Sequence, residues 1–139
     1  MKDRSPEIRG TSVIFLNRHR QILLLLRDND PEIPFPNTWD LPGGHIEPNE
    51  SPEACIKREM REEMDLDLHA FRLFGVFDMP DRTEYTFWQE ADFEIRRIDL
   101  KEGQRINWFS ESEALQVRLA YGFNTIVEQF FDQKPWRQL

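Results

Sequence analysis

Short apolar runs alternate with polar links in the first half of the chain, a pattern typical of β-strands joined by turns and loops. Residues 11–16 are rich in β-branched and aromatic side chains and predict a strand. The continuous apolar run at 21–27 predicts a strand that is buried on both faces, and the polar link 17–20 suits a hairpin turn. Residues 28–37 contain three prolines and predict an irregular loop before a short extended segment at 39–46.

The second half predicts further strands and two helices. Strands are expected at 71–77, 83–95 and 105–109, with a turn at 78–82. Ser110 is the expected N-cap of a helix that begins near Glu111. Because strands and helices are mixed, with too few β-α-β units for a Rossmann domain, the pattern predicts an α/β fold with a mixed sheet between helices. A final helix is expected at 120–131, with an apolar stripe of Ile126, Val127, Phe130 and Phe131.

Another helix, predicted between residues 51 and 65, carries closely spaced carboxylates. Ser51 is the expected N-cap and Pro52 the first helical residue. Glu59, Glu62 and Glu63 follow at helical spacing and share one face. Carboxylates this close repel one another unless a cation lies among them, so the pattern indicates a divalent metal and phosphate chemistry. Taken alone, the same run also fits a solvated helix with pairs such as Arg58 and Glu62.

The spacing around this helix resembles the signature of the Nudix hydrolase family. That signature is a glycine, five residues, a glutamate, seven residues, and then Arg-Glu-apolar-any-Glu-Glu-any-Gly-apolar. Gly44 and Glu50 are separated by five residues, and seven more lead to the run that begins at Arg58 and ends at Leu66. Asp65 alone departs from the signature, since it stands where the family has glycine. Asp tolerates a left-handed backbone, so we expect a cost in stability rather than a loss of chemistry.

The resemblance implies a Nudix-type α/β/α sandwich, the cofactor Mg²⁺ (with Mn²⁺ as a substitute) and a set of residue roles. Glu59 is the implied general base, and Arg58 is expected to orient the glutamates with Glu50 as its partner. Gly44 and Glu50 are structural members of the motif. The implied metal ligands are Glu59, Glu62, Glu63 and the backbone carbonyl of Gly43.

Weaker similarities and general chemistry add further candidates outside the signature. Lys101-Glu102-Gly103-Gln104, followed by Trp108, resembles a loop that supplies another catalytic glutamate, here Glu102, in MutT-type members. Asn124 resembles by position an asparagine that reads a purine, although capping of the last helix is the alternative. Arg27 and Arg82 can meet phosphates, and Phe35 and Trp88 can stack on a base. The alternatives are an exposed loop for Glu102, a surface charge for Arg27 and core positions for the aromatic residues.

Composition narrows the functional class. The length of 139 residues suits a single domain over residues 1–139. The net charge is −8, and Cys55 is the only cysteine. The negative charge argues against nucleic acid or anionic lipid as partners, and no apolar stretch is long enough for a membrane span. The N-terminus does not resemble a signal peptide, so a cytoplasmic location is expected. The sequence does not determine the oligomeric state, and a homodimer is one of the alternatives.

The function that the resemblance implies is Mg²⁺-dependent hydrolysis of the diphosphate bond in a nucleoside diphosphate linked to another moiety. That substrate is a small molecule such as a nucleoside triphosphate, oxidised or not, or a nucleotide sugar. The alternatives are a catalytically inactive nucleotide-sensing module, or a hydrolase of ADP-ribose or dinucleoside polyphosphates.

Overall fold

The computed structural model describes residues 8–138, so the prediction of one domain over residues 1–139 extends beyond the described part. Short 3-10 turns lie at Ile95–Arg97, Ala120–Gly122 and Pro135–Gln138. The helices are α1 (Pro52–Met64), α2 (Glu111–Gln116) and α3 (Asn124–Gln133). The strands are β1 (Ile8–Leu16), β2 (Ile22–Leu26), β3 (Trp39–Asp40), β4 (Gly43–His45), β5 (Arg72–Asp78), β6 (Arg82–Glu90) and β7 (Arg105–Phe109).

These strands form one mixed sheet of seven strands in the order β3-β2-β1-β6-β5, with β4 paired to β1 and β7 paired to β2. The pairing of β1 with β6 is parallel, and the other pairings are antiparallel. The predicted hairpin turn at 17–20 is confirmed, since the Asn17 N–H donates to the carbonyl of Gln21 at 3.0 Å.

Alternate residues of the central strands face two different apolar layers, because successive side chains of a strand point to opposite faces. Val13 and Phe15 of β1 pack against Ile56 and Met60 of α1. On the other face, the residues of β1 and β2 pack against α2 and α3; this layer includes Ile14, Leu16, Ile22, Leu24, Ala114, Ile126, Val127, Phe130 and Phe131. The arrangement is an α/β/α sandwich with a mixed sheet between helices, which confirms the predicted fold class and the predicted apolar stripe of α3.

Two elements differ in length from the prediction. Strand β6 ends at Glu90 rather than at residue 95, because its neighbour β1 ends at Leu16, the residue paired with Glu90. Helix α3 begins at Asn124 rather than at residue 120. Tyr121 and Gly122 have φ angles of +59° and +75°, and a left-handed backbone cannot continue a right-handed helix.

The ends of α1 follow the sequence signals. The Ala54 N–H donates to the Ser51 hydroxyl at 3.1 Å, and Pro52 opens the helix. At the other end Asp65 is left-handed, with φ +52° and ψ +40°. The Leu66 N–H donates to the Met60 carbonyl at 3.2 Å, which closes a Schellman-type cap. None of the helices within residues 8–138 has the length and apolar character needed to cross a bilayer.

We expect Asp65→Gly to raise the free energy of unfolding by roughly 0.5–1 kcal/mol, because glycine adopts the left-handed backbone without steric cost. The change also removes an anion from the negative end of the helix dipole. Chemical denaturation measures the difference. Asp65→Asn is the matched control, since it removes the charge but keeps a side chain at the same φ. An unchanged or lowered stability of Asp65→Gly would contradict the backbone argument.

Candidate functional site

Carboxylates from α1 and from the loop before β7 line part of a cleft of about 450 Å³. We call these residues the acidic wall: Glu59, Glu62, Glu63 and Glu102. The loop that carries Glu102 is held against the end of α1, because the Lys101 N–H donates to the backbone carbonyl of Glu63 at 2.7 Å. Its other side is tied to β2, where the Gln104 N–H donates to the Leu26 carbonyl at 2.8 Å. The fold therefore brings a residue distant in sequence beside the glutamates of α1.

Glu63 is the most deeply placed member of the acidic wall, with only 7% of its surface exposed. Its Oε2 atom is buried and has no hydrogen-bond partner. Burial raises the pKa of Glu63 to about 9, and the nearby charges of Glu59, Glu102 and Asp40 add to the rise. A buried carboxyl oxygen without a partner is rare in folded proteins, so it marks a place where a cation or a proton belongs.

Glu59 lies against the backbone of the adjoining strand β4. A Cβ atom on Gly44 would overlap the Glu59 carboxylate, so only glycine at this position lets the side chain approach. Burial raises the pKa of Glu59, although the Arg58 guanidinium partly offsets this effect. Glycine at position 44 thus has a steric cause, because it provides the room that the Glu59 carboxylate occupies.

Arg58 links the helix carboxylates to the loop before α1. Its Nε donates to Glu50 Oε2 at 2.7 Å and its Nη2 donates to Glu50 Oε1 at 2.9 Å, which is a bidentate pair. Its Nη1 donates to Glu59 at 2.9 Å and to Glu62 at 3.2 Å. The hydrogen bonds from Arg58 lower the pKa of Glu50 to about 2. Arg58 therefore fixes the orientation of Glu59 by being held itself on Glu50.

We expect Glu50→Gln to destabilise the protein at pH 7 and to reduce its loss of stability in acid. The folded-state pKa of Glu50, about 2, lies below the ordinary value of 4.5. The stabilisation is therefore fully present above pH 4.5 and is lost as the pH falls toward 2. Urea unfolding at several pH values measures this difference. Wild type and variant should converge near pH 2, whereas Glu128→Gln, an exposed control in the middle of α3, should follow the wild type throughout. A constant gap between wild type and Glu50→Gln would contradict the assignment.

A second part of the cleft lining combines two arginines with a tyrosine, and we call Arg27, Arg82 and Tyr121 the arginine cluster. The guanidinium of Arg82 lies 4.1 Å from the centroid of the Tyr121 ring, and that of Arg27 lies 5.4 Å from it. Arg27 also donates to Asp40 Oδ2 at 3.0 Å and to the Pro34 carbonyl at 2.9 Å. Fixed guanidinium groups of this kind bind phosphate oxygens, and the ring offers a stacking face.

Two further buried carboxyl groups line the same cleft. Burial raises the pKa of Asp40 to about 6, with Arg27 acting in the opposite direction. Glu84 is 1% exposed, and burial raises its pKa to about 7. Neither carboxyl oxygen of Glu84 nor Oδ1 of Asp40 has a hydrogen-bond partner. The cleft thus contains carboxyl oxygens that receive no hydrogen bond from the described part of the chain.

Seven of the twelve predicted site residues line this cleft. Arg58 contacts two of them, Glu59 and Glu62, and Glu50 contacts Arg58, whereas the other three lie apart from the cleft. Trp88 is 4% exposed and packs in the core against Phe130. The Asn124 side chain accepts from the Leu119 N–H at 2.9 Å and donates to the Val117 carbonyl at 2.7 Å, so it holds the loop before α3. The rings of Phe35 and Tyr121 pack edge to face with 4.7 Å between their centroids, and Phe35 is 42% exposed, outside the cleft lining. Gly43, Gly44, Arg27 and the acidic wall all line the cleft.

Sequence reasoning missed three residues of the cleft lining. Glu84 had a weak signal, because it is a charged residue two positions before Thr86 and four before Trp88, on the face of the strand that a period of two assigns to the same side. Asp40 lies just before the Gly43-Gly44 pair, which was a weaker signal. Tyr121 had none, because its left-handed backbone and its place beside two arginines arise only in the folded chain.

The oxygen-rich acidic wall fits a hard divalent cation such as Mg²⁺. Its ligands would be carboxylate oxygens, and the unpartnered Oε2 of Glu63 has no other use in the described structure. Within residues 8–138 no group of three His, Cys, Asp or Glu side chains is arranged so that it could hold a metal ion as it stands. Mg²⁺ keeps several water ligands and needs only one or two carboxylates, so an open donor set suits it.

Other proteins share parts of this sequence. The family model of the NUDIX domain matches residues 6–130. A Bacillus subtilis protein with the provisional name 8-oxo-dGTP diphosphatase is 39% identical over 71 residues, covering 51% of this chain and 44% of that protein. Diphosphoinositol polyphosphate phosphohydrolase 2 of Rattus norvegicus is 30% identical over 87 residues, covering 60% of this chain and 49% of its own length. These matches span less than half of each relative.

The fold agrees with that of a solved structure. The MutT protein of Methanosarcina mazei superposes with a TM-score of 0.73 at 22% sequence identity, covering 96% of this chain and 99% of that protein. The shared fold, the matched domain and the motif that builds the acidic wall agree with one another. The chain belongs to the Nudix hydrolase family.

Proposed function

We propose that this chain is a Mg²⁺-dependent hydrolase of the diphosphate bond in a nucleoside diphosphate linked to another moiety. The main support for this proposal is the Oε2 atom of Glu63, which is buried and has no hydrogen-bond partner. It lies in a cleft that Glu59 and the arginine cluster also line. Such an arrangement matches a substrate with a cation on one side of its phosphates and guanidinium groups on the other. The substrates in view are nucleoside triphosphates, oxidised or not, and nucleotide sugars.

The residue roles follow from charge and position. Glu59, Glu62, Glu63 and the Gly43 carbonyl would hold Mg²⁺, which supplies neutralisation of phosphate charge and a bound water of lowered pKa. Glu59 is the proposed general base, since burial raises its pKa and Arg58 holds it in place. Glu102, on the neighbouring loop, is the second candidate for this role or for a metal ligand.

The arginine cluster would bind the phosphate oxygens of the substrate. Arg27 is hydrogen-bonded to Asp40 and to the Pro34 carbonyl, so its side chain already has a fixed conformation. Its remaining N–H donors can therefore bind phosphate with little further loss of side-chain entropy. Arg82 and Arg27 both lie over the ring of Tyr121, at 4.1 Å and 5.4 Å from its centroid. These groups orient the diphosphate for attack by water without a covalent intermediate on the protein.

A nucleotide is favoured over a highly phosphorylated ring such as the one in the name of the rat relative. The described lining of the cleft contains two arginines and one histidine as its basic residues, together with several carboxyl groups. Many phosphates in one small molecule would meet repulsion there. The stacking face of Tyr121 instead suits a nucleobase. A purely sensing module is disfavoured because it would keep the repulsive acidic wall without a use for it.

A substrate panel tests the proposal. Release of phosphate or diphosphate is measured for nucleoside triphosphates, nucleotide sugars, ADP-ribose, dinucleoside polyphosphates and a diphosphoinositol phosphate, with Mg²⁺, with Mn²⁺ and with a chelator. We expect metal-dependent turnover of at least one nucleotide class. Turnover restricted to ADP-ribose or to dinucleoside polyphosphates would move the substrate assignment to the alternative. Absence of metal-dependent turnover on every class, together with retained nucleotide binding, would instead support the sensing module.

Domain number, cellular location, partners and oligomeric state are further predictions that experiment can test. A single domain, a cytoplasmic location and the absence of a nucleic-acid partner are expected from composition and charge. Size-exclusion chromatography with light scattering would decide between monomer and homodimer.

A further inference from the structure

The side chain of Gln104 joins two loops that border the cleft. Its Nε2 donates to the backbone carbonyl of Arg27 at 2.8 Å and to Asn37 Oδ1 at 2.8 Å. These two acceptors lie at the two ends of the loop 28–37, which contributes to the cleft lining, whereas Gln104 ends the loop that carries Glu102. The amide nitrogen has two N–H donors, so both are used to connect one loop to the other.

The base of the loop 28–37 is closed without Gln104. The backbone N–H groups of Arg27 and Asn37 donate to carbonyls across the base at 2.9 Å and 3.0 Å. Asn37 has a φ angle of +54°, a left-handed backbone that asparagine tolerates better than most residues. The base is therefore a fixed pair of backbone segments, and Gln104 attaches the other loop to it.

The loop that carries Glu102 is short and lies close to β2. Its ends are held by backbone hydrogen bonds from the N–H groups of Lys101, to α1 at 2.7 Å, and Gln104, to β2 at 2.8 Å. Gly103 between them has φ +85°, and a Cβ atom there would lie 3.0 Å from the Leu26 carbonyl oxygen. Glu102 itself is exposed, so the position of its carboxylate depends on the backbone of this loop.

The carboxylate of Glu102 lies within electrostatic reach of two other members of the acidic wall. Burial is the main cause of the raised pKa of Glu59 and of Glu63, and the charge of Glu102 adds to the rise in both. Because the interaction between two charges weakens with distance, a displacement of Glu102 would change the field at both carboxylates.

We propose that Gln104 is a positioning residue, whose side chain ties the loop of Glu102 to the base of the loop 28–37 and so fixes Glu102 beside the glutamates of α1. The inference rests on the proposed function, which it deepens by naming the contact that joins the phosphate-binding side of the cleft to the acidic wall. Arg27 keeps its own two side-chain hydrogen bonds when Gln104 is replaced. Loss of the Gln104 amide therefore acts on Glu102 and leaves phosphate binding nearly intact.

Steady-state kinetics of Gln104→Leu, which removes the donors and keeps much of the side-chain volume, test this role. We expect kcat of metal-dependent hydrolysis to fall about tenfold, since a misplacement of about 1 Å can cost up to about 100-fold, while KM changes by less than about twofold. Asn37→Gly removes one acceptor at a position whose backbone glycine adopts freely, and it should lower kcat in the same way. In a Glu102→Gln background, Gln104→Leu should lower kcat no further, because both changes act through the same group. Gln129→Leu, an exposed change on α3, should keep the wild-type values.

Amide hydrogen exchange of the metal-free protein gives a second readout that does not depend on turnover. We expect the backbone N–H groups of Lys101 and Gln104 to exchange faster in Gln104→Leu than in wild type, because the loop opens more easily, while exchange in α1 stays unchanged. Thermal unfolding reports whether the variant is folded, and Asn37→Gly takes its place in both measurements if it is not.

Three results would each overturn the positioning role. They are a wild-type kcat in folded Gln104→Leu, an equal loss of kcat with and without the Glu102 carboxylate, and unchanged exchange of the two loop amides. Absence of turnover by wild type on the whole substrate panel would instead remove the proposed function. The exchange measurement would then decide by itself whether Gln104 holds the loop.

Discussion

Glu63→Gln is expected to lower the rate of metal-dependent hydrolysis by at least ~100-fold, the usual cost of removing a stabilising group from a catalytic centre. The reason is that its Oε2, buried and without a partner, is the oxygen best placed to bind a cation. Glutamine cannot ionise and offers a neutral carbonyl instead of a charged oxygen. Initial rates at saturating Mg²⁺, on whichever substrate the panel identifies, measure the loss.

The stability of the metal-free protein should change little in the same variant. With a pKa of about 9, Glu63 carries its proton at pH 7, and a protonated carboxyl and an amide have nearly the same shape. Glu53→Gln removes an exposed carboxyl from the first turn of the same helix and should leave the rate unchanged. A Glu63→Gln variant that unfolds at the wild-type temperature and retains the wild-type rate would remove Glu63 from the site.

Gly43→Ala should cost about 4 kcal/mol or more of the free energy of unfolding, which is exceptional for a single substitution. Gly43 has φ +154°, a backbone conformation that residues with a Cβ rarely adopt. The new Cβ atom would overlap the Thr11 carbonyl oxygen and would lie 2.8 Å from Ser12 Cα. Both neighbours are backbone atoms of β1, so they can move only if the pairing of β4 with β1 is broken.

Gly122→Ala is the matched comparison, since Gly122 also has a positive φ, +75°, but lies in open space. Its nearest neighbour would be Met79 Cε at 4.0 Å. We expect a cost of only about 1 kcal/mol, from backbone conformation alone. Urea unfolding of the two variants separates steric overlap from backbone strain. If they lost equal stability, close packing of β4 against β1 would not be the reason for glycine at position 43.

Much of the acidic wall can be predicted from the sequence. Helical spacing alone places Glu59, Glu62 and Glu63 on one face of α1, because residues three and four apart on a helix are neighbours. The bidentate pair of Arg58 with Glu50 follows the predicted partnership. These contacts are local in sequence, so propensity and spacing suffice to anticipate them.

Trp88 and Asn124 illustrate the opposite case. Whether an aromatic residue of a strand faces a cleft or the core depends on which helix covers that face of the sheet, and α3 covers Trp88. Asn124 lies at a helix start as expected, but the left-handed turn at Tyr121 lets its side chain hold the preceding loop. Position along the chain does not determine such contacts.

The sequence by itself determined the family, the mixed α/β architecture and the carboxylates that would meet a metal, because each of these depends on spacing within a short segment. Tertiary structure alone decided that Glu102 lies beside Glu63, that Arg27 and Arg82 share the ring of Tyr121, and that Gln104 joins the loop of Glu102 to Asn37. The physical reason is that these contacts join strands and loops far apart in the chain. Their distances are set by how the sheet pairs and packs rather than by any local preference of the residues.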